Sequence, residues 1–477
     1  MKILLINPVS LYSIKAPPLG LLYLASYLRS KNNEIDIQIL DANILGLKNQ
    51  MVVQFIKKAR PDLIGLYTIT SNSGLTQNLI HAIRPYVQYI VIGGPYATAY
   101  ANFLAQNKDI DFVIAGEGEI LFYELIKNLS QKTSFTDKKA YSSEMTNGRP
   151  LIFQQDESSL ISDLDTLPFP AWDLLDVSEY FTSFKRTTES AISFSKYSLP
   201  LITSRGCPFH CTYCHNIFGK RFRARSAENI ISEIIFLITT YKIKEFEIWD
   251  DVFNLDTERA LEFCDLVKKN NLNIRFSFSN GIRSDHATFE LIDKLAECGA
   301  YRINFAIETV TERLQKRIKK NLDLAYAKKI IEYTFKKGII TGGFFMIGLP
   351  TETLKEIQAT VQYAVTGPFD LASFLITTIY PGTALFDELT EDQKIALLKL
   401  DPDMFDYYNV SFNLSNVSKK ELLSLEKHAY YRFYFFPKRI FRLLRKIRFT
   451  DLFSNLIFIS ATFFNKRPRL FFKEDPR

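Results

Sequence analysis

The run Ser204-Arg205-Gly206-Cys207-Pro208-Phe209-His210-Cys211-Thr212-Tyr213-Cys214-His215-Asn216 decides the fold. It sets three cysteines at a C-x3-C-x2-C spacing in a tight loop that follows an apolar run, Leu201 to Ser204. Three thiolates at this spacing are able to claim three irons of a cubane cluster, which leaves the fourth iron open to another ligand. A structural zinc site is the competing reading. It needs four ligands in a closed tetrahedron, with His210 or His215 as the fourth, and the spacing departs from common zinc patterns. Disulfide pairing is weaker, because three is odd.

Downstream of that loop, β-rich runs alternate with helical patterns. Leu201 to Ser204, Glu245 to Trp249, Arg275 to Ser279, Tyr301 to Ala306, Gly342 to Ile347 and Ser373 to Thr378 read as six parallel strands of a partial β/α barrel. The cysteine loop then lies at the mouth formed by the strand ends. Trp249-Asp250-Asp251 ends the second strand, where carboxylates are able to accept hydrogen bonds from an ammonium; Asp256 looks like the cap of the next helix. Arg283 follows the third strand, where an ion pair within the protein and a ligand contact are equally open readings. Glu308 follows the fourth, and Gly348-Leu349-Pro350-Thr351 the fifth.

Upstream, Lys2 to Asn7, Ile35 to Leu40, Leu63 to Tyr67, Tyr89 to Ile92 and Phe112 to Ala115 are near-continuous in Ile, Leu and Val, as expected of a parallel sheet covered on both faces. The loops at their carboxyl ends carry Pro18 and Gly20, Thr68, Gly93 and Gly94, then Gly116 and Glu117. Such loops suit a polar, nucleotide-like ligand. Between them and the barrel, residues 131–200 lose periodicity and read as a connector, with Leu164 to Trp172 packed between domains.

At 477 residues, 47% hydrophobic and 23% charged, the chain suits a soluble globular protein of two or three domains. Five cysteines, with Cys264 and Cys298 isolated in helical patterns and buried, fit a reducing cytoplasm, and the N-terminus reads as a strand rather than a signal peptide. The net charge of +7 concentrates near the C-terminus, where Pro437 to Lys473 holds ten Lys or Arg against Asp451, interleaved with phenylalanines. Leu456 to Phe464 is too short to cross a bilayer. This end suits a peripheral membrane contact, an anionic or lipid-like substrate, or a helical subdomain with a solvated basic face. Nucleic acid is disfavoured, because no recognition motif accompanies the charge.

The cysteine motif, with Tyr213 before its last cysteine, resembles the signature of the radical SAM superfamily. The N-terminal loops ahead of that core, with Asp41-Ala42-Asn43 after the second strand among them, resemble the cobalamin-binding domain of the B12-dependent members, although Asp-x-His-x-x-Gly is missing and His81 is the domain's one histidine. The resemblance implies that Cys207, Cys211 and Cys214 hold a [4Fe-4S] cluster and that S-adenosylmethionine completes it and is cleaved to a 5′-deoxyadenosyl radical. It also implies that Tyr213, Asp250, Asp251, Arg283, Glu308 and Gly348 lie around that molecule, with Tyr213 near the adenine, and that Pro18, Gly20, Thr68, Gly93, Gly94, Gly116 and Glu117 line the cobalamin site. In the same way it implies methyl transfer to an unactivated carbon, with an electron donor such as flavodoxin or ferredoxin; the aromatic run over 421–436, with Tyr430, Tyr431, Phe433 and Tyr434, favours a hydrophobic small molecule or lipid as the substrate. An oxidative cyclase of the anaerobic magnesium-protoporphyrin monomethyl ester type is the alternative. A methylthiotransferase fits poorly, since no cysteine precedes Cys207.

The expected organisation is therefore α/β: a Rossmann-like parallel sheet over 1–130, a connector over 131–200, a partial (β/α)6 barrel over 201–390 and a helical basic and aromatic region over 391–477.

Overall fold

The N-terminal sheet consists of β1 (Lys2–Asn7), β2 (Asp36–Asp41), β3 (Leu63–Tyr67), β4 (Tyr89–Gly93), β5 (Phe112–Ala115), β6 (Ala140–Tyr141) and β7 (Leu151–Gln154). The structure is a computed structural model that describes residues 1–10, 16–131, 140–141, 150–181, 193–215, 217–400 and 409–446. The spatial order is β2-β1-β3-β4-β5-β7-β6, and β1 to β5 and β7 are parallel while β6 pairs antiparallel with β7. Ile3 to Ile6 are at most 1% exposed, because helices pack on both faces of the sheet as two separate cores. Strand order reverses between β1 and β3, and the carboxyl side of such a switch point is the ligand crevice of a doubly wound sheet.

The connector expectation needs correction. Leu151–Gln154 joins the sheet beside β5, so the first domain reaches past residue 130. The run is only four residues long with a half-buried alternation, too brief to stand out among its polar neighbours. Farther along, Leu164, Leu167 and Trp172 join the barrel core, whereas Ala171 joins a core of the N-terminal sheet. That stretch is wedged between the domains, as its two prolines and apolar side chains suggest.

The barrel sheet is β8 (Ser198–Leu201), β11 (Glu245–Ile248), β12 (Arg275–Ile282), β13 (Ala300–Glu308), β14 (Ile340–Ile347) and β15 (Leu371–Ile376), six parallel strands in sequence order. Its first strand begins three residues earlier than Leu201, and Pro200, which has no N–H to give, is tolerated there because the strand is at the sheet edge. Ser204 and Arg205 instead form β9, paired antiparallel with β10 (Arg223–Ala224). Alternate residues of the barrel strands face opposite ways. Phe246, Phe276, Phe278, Phe305, Phe345 and Phe374 enter the helix-covered core, which leaves Glu247, Ser277, Ser279, Arg302, Asn304, Phe344 and Ser373 on the concave face.

A partial barrel leaves β15 as an open edge, a pairing hazard unless covered. The Lys419–Tyr434 helix covers it: the Phe374 N–H donates to the Tyr430 hydroxyl at 3.1 Å, and the Tyr434 hydroxyl accepts from the Ala372 N–H and donates to the Ala372 carbonyl. The Pro437–Lys446 helix continues this packing. Arg439 is buried and gives its guanidinium to the carbonyls of Phe369, Phe433 and Val365, while Arg442 pairs with Asp370 at 2.6 Å. Two cations of the basic end are thus internal braces. Its Arg448, Lys466, Arg467, Arg469 and Lys473 lie outside the described residues. Among the described residues no helix is long and apolar enough to cross a membrane.

Candidate active site

The cysteine loop is closed at its base by the β9–β10 ribbon, which holds residues 206–222 as one hairpin-like excursion. Gly206 adopts φ +85°, and a Cβ there would lie 2.2 Å from the Arg221 carbonyl oxygen, so only glycine lets the strand turn into the loop. The Thr212 N–H donates to the Ile318 carbonyl and the Leu385 N–H to the Thr212 carbonyl, which ties the loop to the ends of two other barrel units. The Arg283 guanidinium lies 3.6 Å from the centre of the Phe209 ring, a cation–π contact. Arg283 also makes a two-pronged pair with Asp285, at 2.9 and 2.6 Å. Of the two readings open for Arg283, the structure shows the ion pair, and its role is to brace the loop.

Cys207 and Cys211 are partly exposed and Cys214 faces the open mouth. Close protein around Cys214, and then the charges of Cys211 and Cys207, push its thiol up to about 12; burial likewise raises Cys207. Three thiols suit a cluster whose irons are claimed one thiolate each, with one iron left open, whereas a closed zinc site needs four ligands.

Around this loop the strand ends converge. The Tyr213 hydroxyl donates to Glu308 Oε1 at 3.0 Å, and Lys320 Nζ lies 3.6 Å from the same oxygen. Glu308 holds φ +64°, a left-handed conformation uncommon for a side-chain-bearing residue and frequent at working sites. Asp250 is committed internally: its carboxylate accepts from the Thr203 N–H and hydroxyl and from the Ser204 hydroxyl. Asp251 accepts from the Gly206 N–H at 3.2 Å, and the crowding around it, followed by the Asp250 charge, raises it to about 6. The carboxylate left facing the mouth is Asp251. Gly348, at φ +86°, and Leu349 give their N–H groups to Glu352, whose second oxygen is buried without a hydrogen bond. Burial raises Glu352 to about 7.

The mouth of the N-terminal sheet is built differently. The Thr68 N–H and hydroxyl both donate to the Gly93 carbonyl at 2.8 Å, and the Thr98 hydroxyl accepts from the Gly116 N–H and donates to the Gly94 carbonyl. The three loops thus form one platform. Gly94 takes φ +96°, and a Cβ would lie 2.7 Å from the Thr68 carbonyl oxygen. Gly20 and Gly74 stand in the first turns of helices beyond β1 and β3, with open space where a side chain would project. Pro18 caps the first of these. Bare helix N-termini around a switch-point crevice fit a large ligand bearing a phosphate. His81 lies in the last turn of its helix, hence at the opposite edge of the sheet, and pairs with Asp109.

Glu117 spends its charge inside the protein. It is buried, and its carboxylate pairs with Arg205 at 2.9 Å and with both terminal nitrogens of Arg223, while Arg205 also pairs with Glu119 at 2.7 Å. Arg205, Arg223, Glu119 and Lys320 escaped the sequence reading. Arg205 stands two residues before Cys207, but no spacing rule points to a partner 88 residues upstream. The two mouths also meet where Gly382, beyond β15, lies against Ala99 and His215.

Residues 201–364 match the radical SAM superfamily and residues 12–126 the B12 binding domain. The chain is 30% identical to an uncharacterized methyltransferase, PH0819, of Pyrococcus horikoshii, over 92% of this chain and 93% of that one. It is 29% identical to cytidylyl-2-hydroxyethylphosphonate methyltransferase of Streptomyces wedmorensis, over 81% of each. With the anaerobic magnesium-protoporphyrin IX monomethyl ester cyclase of Rubrivivax gelatinosus it shares 23% identity, over 88% of this chain and 74% of that one. The fold is that of the methyltransferase TsrM from Kitasatospora setae, solved with cobalamin and a [4Fe-4S] cluster bound, at a TM-score of 0.64 and 16% identity, covering 81% and 74% of the chains.

Proposed function

This chain belongs to the radical SAM enzymes that carry a B12-binding domain, within the methyltransferase group, and from that premise we propose that it methylates an unactivated carbon of a polar small molecule. The observation that carries the reading is the meeting of the two mouths: three thiols in a locked loop stand across from a backbone-lined crevice. When bound, the cluster with S-adenosylmethionine supplies a hydrogen-abstracting radical, and cobalamin supplies the methyl group.

The chain's own residues prepare for this. Cys207, Cys211 and Cys214 would hold the cluster, and Gly206 and Arg283 fix their loop. Asp251 would accept hydrogen bonds from the ammonium of S-adenosylmethionine, Glu308 with Tyr213 and Lys320 would hold its ribose, and the Gly348 turn would line the same pocket. Gly20, Gly74 and the Thr68–Gly94–Gly116 platform would carry the corrin.

On the substrate, the hydrophobic reading loses its support. Tyr430, Phe433 and Tyr434, which suggested it, pack on β15. The concave face instead carries Glu247 paired with Arg302, along with Ser279 and Asn304. A small molecule with hydrogen-bonding groups suits that surface better than a lipid.

The test feeds methyl-labelled methionine to anaerobic cells with and without the protein. A small molecule that gains a labelled methyl group only in expressing cells supports the reading. A product changed in mass without label would overturn C-methylation in favour of cyclase-type oxidation, to which the cyclase relative points. A peripheral membrane contact is a further part of the proposal, supported by exposed Phe436 and Ile440 beside the basic end. Because Arg439 and Arg442 are structural, the test removes residues 447–477 only. Sedimentation with anionic vesicles at low salt should then be lost, and sedimentation equal to the full chain would dispose of the contact.

A further inference from the structure

We infer that Glu117, Arg205 and Arg223 form a buried latch that sets the cysteine loop against the B12-binding sheet, so that Glu117 is a positioning residue and not a ligand of the corrin. This rests on the proposed function and deepens it.

The latch has a definite path. Gly116 and Glu117 follow β5 at the mouth of the N-terminal sheet, and Arg205 is separated from Cys207 by Gly206 alone. One ion pair therefore links the rim of one mouth to the root of the other. All four side chains are at most 6% exposed, and two cations meet two anions, so the group is electrically balanced. Burial by itself works to lower the Arg205 pKa, and Glu119 and Glu117 more than offset it, leaving Arg205 firmly cationic.

The surroundings hold each partner in one place. The Arg205 guanidinium lies 5.1 Å from the ring centre of Tyr23, from the first helix of the sheet domain, and 5.3 Å from that of Phe218, from the cysteine loop. Arg223 adds bonds to the carbonyls of Ile161 and Phe218. The Glu117 N–H donates to Gln155 Oε1, just past β7, and Gly116 has no room for a Cβ against Gln155. Arg205 and Arg223 face each other in the β9–β10 ribbon, so one carboxylate clamps both strands at the base of the loop.

A reaction shared between groups held by two domains depends on their separation, and a misplacement on the order of 1 Å is enough to cost rate heavily. Buried, two-pronged arginine pairs give the geometric definition this requires, which a lysine point charge does not.

The test uses the full chain, anaerobically reconstituted with iron and sulfide and loaded with hydroxocobalamin, as wild type, Glu117→Gln and Arg205→Lys. Iron and corrin per chain are measured, then the distance between the reduced cluster and cob(II)alamin by pulsed electron paramagnetic resonance. The latch predicts that both variants retain iron and corrin while the distance shifts or broadens by on the order of 1 Å. Distances equal to wild type would overturn it. So would loss of corrin by Glu117→Gln with full retention and an unchanged distance in Arg205→Lys, which would make Glu117 a ligand. If Glu117→Gln does not accumulate folded, Arg205→Lys alone decides by the same distance. If the wild type takes up no corrin, the proposed function fails. The latch is then judged from thermal unfolding of the cluster-loaded chain: one transition splitting into two in the variants supports it, and an unsplit transition overturns it.

Discussion

At the barrel mouth the chain presents side chains, the three thiols with Tyr213, Glu308, Asp251 and Lys320, whereas at the mouth of the N-terminal sheet it presents bare backbone at Gly20, Gly74 and the Gly94 turn. Even the barrel's own free N–H groups, at Gly348 and Leu349, are taken up by a carboxylate of the chain, Glu352. The difference follows from what each mouth has to hold. Iron needs thiolates, which only cysteine supplies. A large ligand with a phosphate and many polar edges is held by helix N-termini and by space, and those are supplied by leaving side chains out. The first mouth breaks when an atom is removed, the second when one is added.

The sharpest break is Cys211→Ala. It should lose most of the cluster iron on anaerobic reconstitution while leaving corrin uptake intact; a full cluster spectrum in this variant would contradict the assignment.

Two glutamates at strand ends sharpen the contrast next. Removing the negative charge of Glu117 leaves two buried arginines to share Glu119, and breaking a buried pair costs about 3–5 kcal/mol. Glu117→Gln should lower the unfolding free energy by that order in a denaturant titration, and a loss under about 1 kcal/mol would mean the network contributes little. Glu308→Gln, whose partners are Tyr213 and the more distant Lys320, should cost less than half as much.

Glu352 offers a pH test within the barrel mouth. Its pKa rises from the ordinary 4.5 to about 7 through burial, so the folded chain keeps a proton that the unfolded chain gives up between those values. Stability from this group is complete below about 4.5 and falls as pH rises from there through about 7, by roughly 3 kcal/mol in total. Glu352→Gln should flatten that slope; an unchanged pH profile would show that the backbone donors hold the carboxylate charged.

The smallest effect belongs to an added methyl. Gly94→Ala forces a Cβ to within 2.7 Å of the Thr68 carbonyl oxygen at a positive φ, a strain of about 1–3 kcal/mol. It should weaken corrin uptake and leave cluster iron unchanged, and equal corrin uptake would show that the platform adapts.

The same contrast explains what could be read from the sequence. The barrel was legible because C-x3-C-x2-C is rare and because six apolar runs recur at βα spacing. All six strands formed, the first of them at Ser198–Leu201. The five core strands of the N-terminal sheet were equally plain. β7 was hidden in a polar stretch, and glycine loops could not say which residue faces a ligand. Glu117 looked like part of a binding loop, but its partners come from residues 205 and 223, and long-range ion pairs leave no local pattern. Asp250 spends its charge inside the protein in the same manner, and for Arg283 the structure shows the ion pair, one of the two readings the sequence left open. The aromatic C-terminal helix carried no motif because its task is to cover an edge strand.

The central claim is that two mouths of different make hold two cofactors. The most direct measurement is the absorption spectrum of the protein purified anaerobically from cells supplied with cobalamin, before and after reconstitution with iron and sulfide. The account predicts stoichiometric corrin bands together with cluster absorption that depends on the three cysteines. Cluster absorption with no corrin bands would contradict it, leaving the backbone-lined mouth without the ligand assigned to it.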